Sequence, residues 1–393
     1  MAKTFIIKIT DCCNLACRYC SYPAQKKVFF SLELWKIFLK ELKDFCNFFG
    51  EKEIRLIFHG GEPLLWGEKN LKQALKIAVS ELGNFTLDLN LQTNGTIVNP
   101  ELFKIFKEYN VSLGVSIDGP CELHNLYRVT PAGKGSFSMV KTFLDELSRY
   151  GLSCGVLSVI SPSHIGKEEE FWQFFKNLGY PLRLSPLSPL GRGKELISSL
   201  GYPFSGWYAE FLIRLYQVIL NDFMGYLEDF ISINPIDKII HRFLKLTDNT
   251  ECTFVEDCSA QFVSVDFQGN VYPCGRLSKK EKFCYGNLKE KTLIDMLSSK
   301  EFPLFRRRKE ILLKEDCKEC RFFKYCYGGC PATGINGNPF RKTAFCEDYK
   351  RLFEYFSGDG LELLRKRLLA ELSQTKEVIG KLQTIKEKLW GKR

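Results

Sequence analysis

The stretch "FIIKITDCCNLACRYC", residues 5 to 20, decides the fold of this chain. Its first six residues are mostly apolar and β-branched, which predicts a short strand over residues 5–10. Three cysteines follow this strand at Cys13, Cys17 and Cys20, and Cys12 lies beside the first of them. The sequence therefore predicts a strand that delivers three thiols on one tight loop at its carboxyl end.

Similar apolar runs recur along the first half of the chain and alternate with amphipathic stretches. One such stretch, "SLELWKIFLKELKDFCNFFG", has the helical period, with Ser31 as N-cap and Gly50 as a stop. Because parallel strands need crossover helices, this alternation predicts an α/β fold with a parallel sheet and helices outside it. The predicted strands cover residues 5–10, 54–58, 87–93, 111–117, 154–160 and 182–187.

Polar motifs follow the carboxyl ends of the first four predicted strands. The cysteines follow the first strand, "HGGEP" the second, "TNG" the third and "SIDG" the fourth. Sites in parallel sheets form at the carboxyl ends of strands. We therefore expect these motifs to build one site.

Composition excludes several classes of protein. With 393 residues, 45% of them hydrophobic, the chain can bury the cores of two or three domains. The most apolar later stretch, "FLIRLYQVIL", is interrupted by Arg214, so we predict a cytoplasmic protein without a membrane partner. In a reducing compartment sixteen cysteines favour metal binding, catalysis or burial over disulfides.

The formal net charge of +10 would suit an acidic partner such as nucleic acid. Thiolate ligands subtract charge when they bind metal, so the metal-loaded chain is less basic than its formula. We therefore expect no nucleic-acid partner. A basic metal-binding nucleic-acid module is the alternative from another class, and iron content would distinguish the two because zinc sites are colourless.

The cysteine loop favours iron over zinc. Three thiolates can hold three irons of a four-iron cluster and leave the fourth iron open for an exchangeable ligand. A structural zinc ion takes four protein ligands, and no fourth Cys or His lies at finger spacing near Cys13, Cys17 and Cys20.

The segment "CNLACRYC" resembles the signature of radical S-adenosylmethionine (SAM) enzymes. The resemblance implies a partial, TIM-like (β/α)6 barrel, with a [4Fe–4S] cluster on Cys13, Cys17 and Cys20 as the catalytic centre. SAM would chelate the open iron and yield a 5'-deoxyadenosyl radical that removes a hydrogen from the substrate. By the same resemblance the cofactor contacts are Tyr19, Gly60, Gly61, Glu62, Pro63, Asn94, Ser116, Asp118 and Arg128.

A second set of cysteines begins at residue 252. The segment "FVSVDFQGNVYPC" reads as a hairpin that returns Cys274 beside Cys258. The spacing resembles the SPASM domain, which implies two auxiliary [4Fe–4S] clusters and three clusters in all; a pair of structural zinc ribbons is the alternative. By this resemblance auxiliary cluster I is held by Cys252, Cys258, Cys274 and Cys330, and auxiliary cluster II by Cys317, Cys320, Cys326 and Cys346.

These observations predict four regions. They are a radical SAM barrel over residues 1–195, a helical bridge over 196–251, a SPASM domain over 252–346 and a helical tail over 347–393. In the tail, Leu and Ile recur at three- and four-residue steps, which fits a helix packed on its own domain or on a partner.

The motifs most resemble the branch that contains anaerobic sulfatase-maturating enzymes and synthases that cross-link ribosomal peptides. Sulfatase maturases usually carry an aspartate directly after the third ligand of auxiliary cluster I, where it can take a proton from the substrate radical. This chain has Gly275 there, and Asp266 and Asp118 are the candidate substitutes. We therefore predict an oxidoreductase that forms a C–C or thioether cross-link during ribosomal-peptide (RiPP) maturation, with sulfatase maturation as the alternative.

The partners that the resemblance implies are a peptide or protein substrate and an electron donor such as flavodoxin or ferredoxin. Because the first predicted strand begins at residue 5, we expect no separate leader-binding domain before it. We expect leader recognition to use the bridge, the C-terminal helix or another protein.

Overall fold

The computed structural model describes residues 4–22, 27–201, 205–222, 232–245, 252–278, 280–299, 302–367 and 369. Within these residues one sheet holds ten strands, in the order β10-β9-β8-β1-β2-β3-β4-β5-β6-β7. Their bounds are β1 (Thr4–Thr10), β2 (Glu53–Gly60), β3 (Thr86–Thr93), β4 (Ser112–Ser116), β5 (Cys154–Ile160), β6 (Leu182–Pro186), β7 (Ile233–Asn234), β8 (Phe262–Asp266), β9 (Asn270–Tyr272) and β10 (Gly286–Asn287).

The first six strands confirm the predicted parallel sheet. β1 to β6 pair in chain order, each parallel to the next. In β1, alternation turns Phe5, Ile7 and Ile9 toward the helices, where all three are fully buried. Phe5 packs against Phe38 and Phe45, so this outer face is what fixes the strand in the core.

Helices cover the outer face of the sheet. The first begins and ends as the sequence predicts: the Ser31 hydroxyl accepts the Leu34 N–H at 3.1 Å, and Gly50 adopts a left-handed conformation with φ of 67°. The helices are α1 (Leu32–Phe49), α2 (Glu68–Leu82), α3 (Pro100–Glu108), α4 (Cys121–Tyr127), α5 (Phe137–Arg149), α6 (Glu168–Leu178), α7 (Arg192–Ser199), α8 (Trp207–Asp222), α9 (Ile236–Phe243), α10 (Leu293–Leu297), α11 (Arg308–Lys314), α12 (Phe323–Cys326) and α13 (Cys346–Ser357).

The inner face of the sheet encloses a cavity of about 1040 Å³. Thr4 and Lys8 of β1 line this cavity together with Arg183 and Ser185 of β6, so the sheet curves until its first and sixth strands face the same space. This curvature makes the six strands an open barrel, and both polar and apolar side chains line its interior.

The predicted hairpin is present as β8 and β9, but it does not stand apart from the barrel. β8 pairs parallel with β1 over five positions, from Thr4 opposite Phe262 to Lys8 opposite Asp266. The C-terminal region therefore extends the barrel sheet on one side, a junction that the sequence did not predict.

The segment between the barrel and the hairpin contains α8 and α9 and also β7, which pairs parallel with β6. In the tail, α13 packs on α8 through Tyr216 and Phe356, whose rings lie 5.0 Å apart. Most of the Leu and Ile repeat predicted for the tail falls on 370–393, outside the described residues. No helix in the described ranges is both long enough and apolar enough to cross a bilayer.

Candidate active site

The cysteine loop after β1 is held by backbone hydrogen bonds from two sides. Ala16 and Arg18 donate to the carbonyls of Val129 and Tyr127 at 2.7 and 2.9 Å, and Glu62 donates to the Cys12 carbonyl at 2.8 Å. The segments after β2 and α4 thus fix the loop, which places its three thiols at the carboxyl end of the sheet.

The thiols of this loop lie close enough to affect one another. Burial raises the pKa of Cys13 to about 12, with smaller contributions from Glu62 and Cys17. Burial also raises the pKa of Cys17, which interacts with Cys20. Protonated buried thiols release their protons when a metal binds them, so this group fits an iron–sulfur cluster.

The glycines after β2 are required by a close backbone approach. A Cβ on Gly60 would lie 2.3 Å from the Thr10 carbonyl oxygen, and a Cβ on Gly61 would lie 2.1 Å from that of Cys12. Side chains at these positions would push the cysteine loop away from β2. Pro63 then begins a short 3-10 turn.

Glu62 is fully buried beneath the cysteine loop. Its carboxylate accepts hydrogen bonds from Leu64 N at 3.0 Å, Thr93 Oγ1 at 2.8 Å and Asn94 N at 2.7 Å. Burial raises its pKa to about 7, although these three donors oppose the shift. Because burial disfavours the charge on this carboxylate, a positive group placed beside it would stabilise the ionised form. The carboxylate is therefore suited to bind an ammonium group.

Asn94 joins the end of β3 to the cysteine loop. Its Nδ2 lies 3.7 Å from the Cys13 sulfur and donates to Asn14 Oδ1 at 2.9 Å. At the end of β4, the Ser116 hydroxyl accepts from Gln92 Nε2 at 3.1 Å. Both residues stand on the side of the sheet that carries the cysteines, as the strand-end pattern predicts.

Tyr19, Asp118 and Arg128 form a buried group. Arg128 Nε lies 3.0 Å from Asp118 Oδ2, the Tyr19 hydroxyl donates to the same carboxylate, and Val159 N donates to it at 3.0 Å. Burial alone would raise the pKa of Asp118, but Arg128 and the other partners hold it below its ordinary value. Asp118 is therefore a paired structural anion and is not available as a base.

Asp266, the other candidate base, caps the β8–β9 turn. Its carboxylate accepts from Gln268 N at 2.9 Å, Asn270 N at 3.0 Å and Asn270 Nδ2 at 3.0 Å. These bonds take three of the roughly four acceptor sites of the carboxylate and fix it in the turn, and Asp266 is not among the residues that line the cavity. Neither substitute suggested by the sequence is free to replace the missing aspartate.

The structure brings His59 into the cavity, which sequence reasoning missed. It lies opposite Lys8 in the β1–β2 register and lines the cavity together with Gly275 and Arg276. The side chain is exposed to this cavity and its Nδ1 accepts the Gly60 N–H at 2.7 Å. Its position inside the barrel, where it loses part of its solvation, lowers its pKa to about 4, and Lys8 adds to this shift. The neutral ring therefore presents an Nε2–H donor. The period-2 pattern of Arg55, Ile57 and His59 is the signal that would have placed it there.

The eight later cysteines meet in two groups. Burial raises the pKa of Cys258, whose thiol interacts with Cys274, Cys330 and Cys252; we name these four set I. Burial raises the pKa of Cys317 to about 12, and its thiol interacts with Cys326, Cys346 and Cys320, which form set II. The members of these two groups are the same as those of the two ligand sets that the SPASM resemblance implies.

The described residues contain no group of three or more His, Cys, Asp or Glu side chains arranged to hold a single metal ion. The individual ligand assignments therefore stay predictions that rest on the two sets. Arg276 contacts two sulfurs of set I. Its backbone N–H donates to Cys274 Sγ at 3.2 Å, and its Nη1 lies 3.8 Å from Cys330 Sγ.

Comparison with known proteins agrees with this arrangement. Residues 7–176 match the radical SAM superfamily, and residues 252–321 match the SPASM iron-sulfur cluster-binding domain. The serine-type anaerobic sulfatase-maturating enzyme of Bacteroides thetaiotaomicron is 27% identical over 387 residues, which cover 91% of this chain and 89% of that protein. The cysteine-type enzyme of Clostridium novyi is 29% identical over 361 residues, which cover 87% and 91%.

Solved structures share the fold. Native anSMEcpe with bound AdoMet superimposes with a TM-score of 0.78 at 24% identity and covers 92% of this chain and 99% of its own. Streptococcus suis SuiB bound to precursor peptide SuiA gives a TM-score of 0.59 at 18% identity, with 87% and 75% covered. The two domain matches support iron–sulfur clusters and contradict the alternative of two zinc ribbons. The chain is a radical SAM enzyme with a SPASM domain, and its cofactors are [4Fe–4S] clusters and SAM.

Proposed function

We propose that this enzyme oxidises a Ser or Cys side chain within a polypeptide, as a maturase of the sulfatase type. A Ser side chain that loses two hydrogen atoms gives an aldehyde; a Cys side chain gives a thioaldehyde, which water converts to the aldehyde with release of hydrogen sulfide. The observation that carries the proposal is similarity to sulfatase-maturating enzymes over 87 to 91% of the chain. The sequence alone favoured a cross-linking peptide maturase, and the relatives support the alternative better. A polypeptide substrate also agrees with the relatives whose structures contain peptides.

When bound, the cluster and SAM supply the radical that removes one hydrogen from the substrate carbon. The chain's own residues orient these groups. Glu62 offers a buried carboxylate for the ammonium of SAM, Cys13, Cys17 and Cys20 offer three thiolates, and the glycines let the two loops approach. The cavity beside them provides the space in which a substrate would be positioned for this hydrogen removal.

Gly275 is the residue that departs from the sulfatase-maturase pattern. A Cβ built there would lie 3.5 Å from Ile6 Cγ2 and 3.9 Å from Ser264 Oγ, which is ordinary van der Waals contact. The Ser264 hydroxyl is fully buried and has no hydrogen-bond partner in the described residues. A Cβ at position 275 therefore meets only ordinary contacts, so packing against Cβ does not require the glycine, and the Ser264 hydroxyl lies nearby as a donor.

This departure favours a second candidate function, the oxidative cross-link. A cross-linked product and a Ser-derived aldehyde both lose two hydrogen atoms, but only the aldehyde reacts with a hydrazide. The test is anaerobic turnover of the reconstituted enzyme with peptides that carry Ser, Cys or Ala at the target position of a sulfatase. We expect hydrazide-reactive product from the Ser or Cys peptide. A product lighter by two hydrogens without hydrazide reactivity would contradict the aldehyde and favour the cross-link.

We predict that Gly275→Asp increases aldehyde formation about tenfold or more, because it installs a base beside the cavity. Gly275→Asn is the matched control, since it adds similar volume without the carboxylate. The measurement is the initial rate of hydrazide-reactive product. Equal rates for the two variants would show that a carboxylate at this position does not take the substrate proton.

A flavodoxin or ferredoxin in a reducing compartment is the proposed source of the electron that starts each turnover. The test compares 5'-deoxyadenosine formation with reduced flavodoxin, with reduced ferredoxin and with dithionite alone. Turnover with dithionite but with neither protein would contradict this part of the proposal.

A further inference from the structure

Arg308, at the start of α11, is a buried cation that the function described so far does not use. Only 1% of its surface is exposed. Its guanidinium donates to four backbone carbonyls: Pro339 at 2.8 Å, Tyr327 at 2.7 Å, Gly328 at 2.9 Å and Arg341 at 3.0 Å. In the described part of the chain none of its hydrogen bonds goes to a carboxylate, so carbonyl dipoles alone surround this charge.

The position of Arg308 relates it to both auxiliary ligand sets. Tyr327 and Gly328, whose carbonyls it binds, lie in the chain between Cys326 of set II and Cys330 of set I. Its charge interacts with Cys258 and Cys330 of set I and with Cys317 and Cys326 of set II. The packing is close, because a Cβ on Gly328 would come within 3.2 Å of Nη2. The guanidinium therefore lies near both sets, on the short segment of chain that connects Cys326 to Cys330.

A buried cation without a negative partner is costly, and four carbonyl dipoles offset only part of that cost. A four-iron cluster with four thiolates is an anion, and it becomes more negative when it is reduced. We propose that Arg308 is a positioning residue shared by the two auxiliary clusters, whose charge raises the reduction potential of both. This deepens the proposed function, because clusters that accept an electron more readily are suited to draw it from an oxidised substrate.

Arg276 offers an internal comparison. Its contacts are to Cys274 and Cys330, both in set I, and its charge also interacts with Cys252 of that set. Removal of the Arg276 charge should therefore shift one auxiliary potential, whereas removal of the Arg308 charge should shift two.

The test is a redox titration followed by electron paramagnetic resonance, without substrate. The full chain carries Cys13→Ala, Cys17→Ala and Cys20→Ala, so that only the auxiliary clusters, about eight irons, remain. In R308Q we expect both midpoint potentials to fall, with the ratio of reduced to oxidised cluster about tenfold lower at a fixed potential, roughly 59 mV for one electron. R308K retains the charge, so its potentials should stay near those of the parent, and R276Q should shift one cluster only.

Unchanged potentials in an R308Q chain that holds both clusters would overturn the proposal. If R308Q loses iron, R308K decides: unchanged potentials support the role of the charge, and a tenfold shift in both clusters overturns it. A parent chain that binds only one auxiliary cluster overturns the proposal as well. None of these outcomes depends on the substrate, so failure here is distinguishable from failure to form an aldehyde.

Discussion

At Glu62, one carboxylate joins the ends of two strands to the cysteine loop. The carboxylate accepts hydrogen bonds from Thr93 and Asn94 at the end of β3. The backbone N–H of Glu62 donates to the Cys12 carbonyl. Glu62→Gln keeps most of this geometry and removes the charge. We predict that SAM binds the variant about ten- to a hundredfold more weakly, as expected for loss of a charged hydrogen bond.

The measurement is equilibrium binding of SAM to anaerobically reconstituted protein. Glu53→Gln, at the exposed start of β2, the strand that precedes Glu62, is the matched control and should bind SAM like the wild type. Equal affinity in the Glu62 and Glu53 variants would remove Glu62 from the cofactor site.

His124 gives the fold a dependence on pH. Its Nδ1 accepts the Asp118 N–H at 3.3 Å and its Nε2 lies 2.9 Å from Ser136 Oγ. Burial lowers its pKa from 6.5 to about 4, so the unfolded chain takes up the proton first. The contribution of His124 to the free energy of unfolding is therefore complete above pH 6.5 and is lost as the pH falls toward 4.

We predict that the free energy of unfolding of the wild type falls about 2 kcal/mol more than that of His124→Gln between pH 7.5 and 5.0. Denaturant titration of both proteins at the two pH values measures the difference. Parallel pH dependence in the two proteins would contradict the buried, neutral state of this histidine.

The roles of residues could be predicted from the sequence only where the spacing of residues along the chain determines which side chains meet. The C-x3-C-x2-C loop and the two later cysteine sets depend on short chain distances and on a hairpin, and the structure groups them as expected. The roles of Asp118 and Asp266 depend on partners such as Arg128 and Asn270, whose side-chain directions no spacing reveals. For the same reason His59 and Arg308 were missed.

At the scale of elements, local patterns were sufficient for strands β1 to β6. Their apolar period and the intervening helices fix a parallel order, and their predicted bounds lie within two residues of the observed ones. The pairing of β8 with β1 joins residues more than 250 positions apart. Neither strand carries a local signal for this neighbour, because both have the same alternating pattern as any half-buried strand.

At the scale of the whole molecule, eleven cysteines in three groups predict three clusters. We expect anaerobically reconstituted protein to bind about twelve irons. Replacement of Cys13, Cys17 and Cys20 together by Ala should remove about four of them and abolish 5'-deoxyadenosine formation, measured by iron assay and chromatography. Replacement of Cys46 and Cys154 is the control. These two cysteines are buried and belong to none of the three groups, so the iron count should stay unchanged. A triple variant that still cleaves SAM would contradict the assignment of the radical centre.

The pairing of β8 with β1 also covers the second edge of β1. β1 is an apolar strand, "TFIIKIT", and β8 covers five of its positions along the edge that faces away from β2. A chain cut before Phe262 would expose that edge as a template for other chains. We predict that residues 1–251 alone form large oligomers in light scattering under conditions where the full chain does not. The iron-binding region would thus cover an aggregation-prone strand edge. The barrel alone would then not remain monomeric in solution.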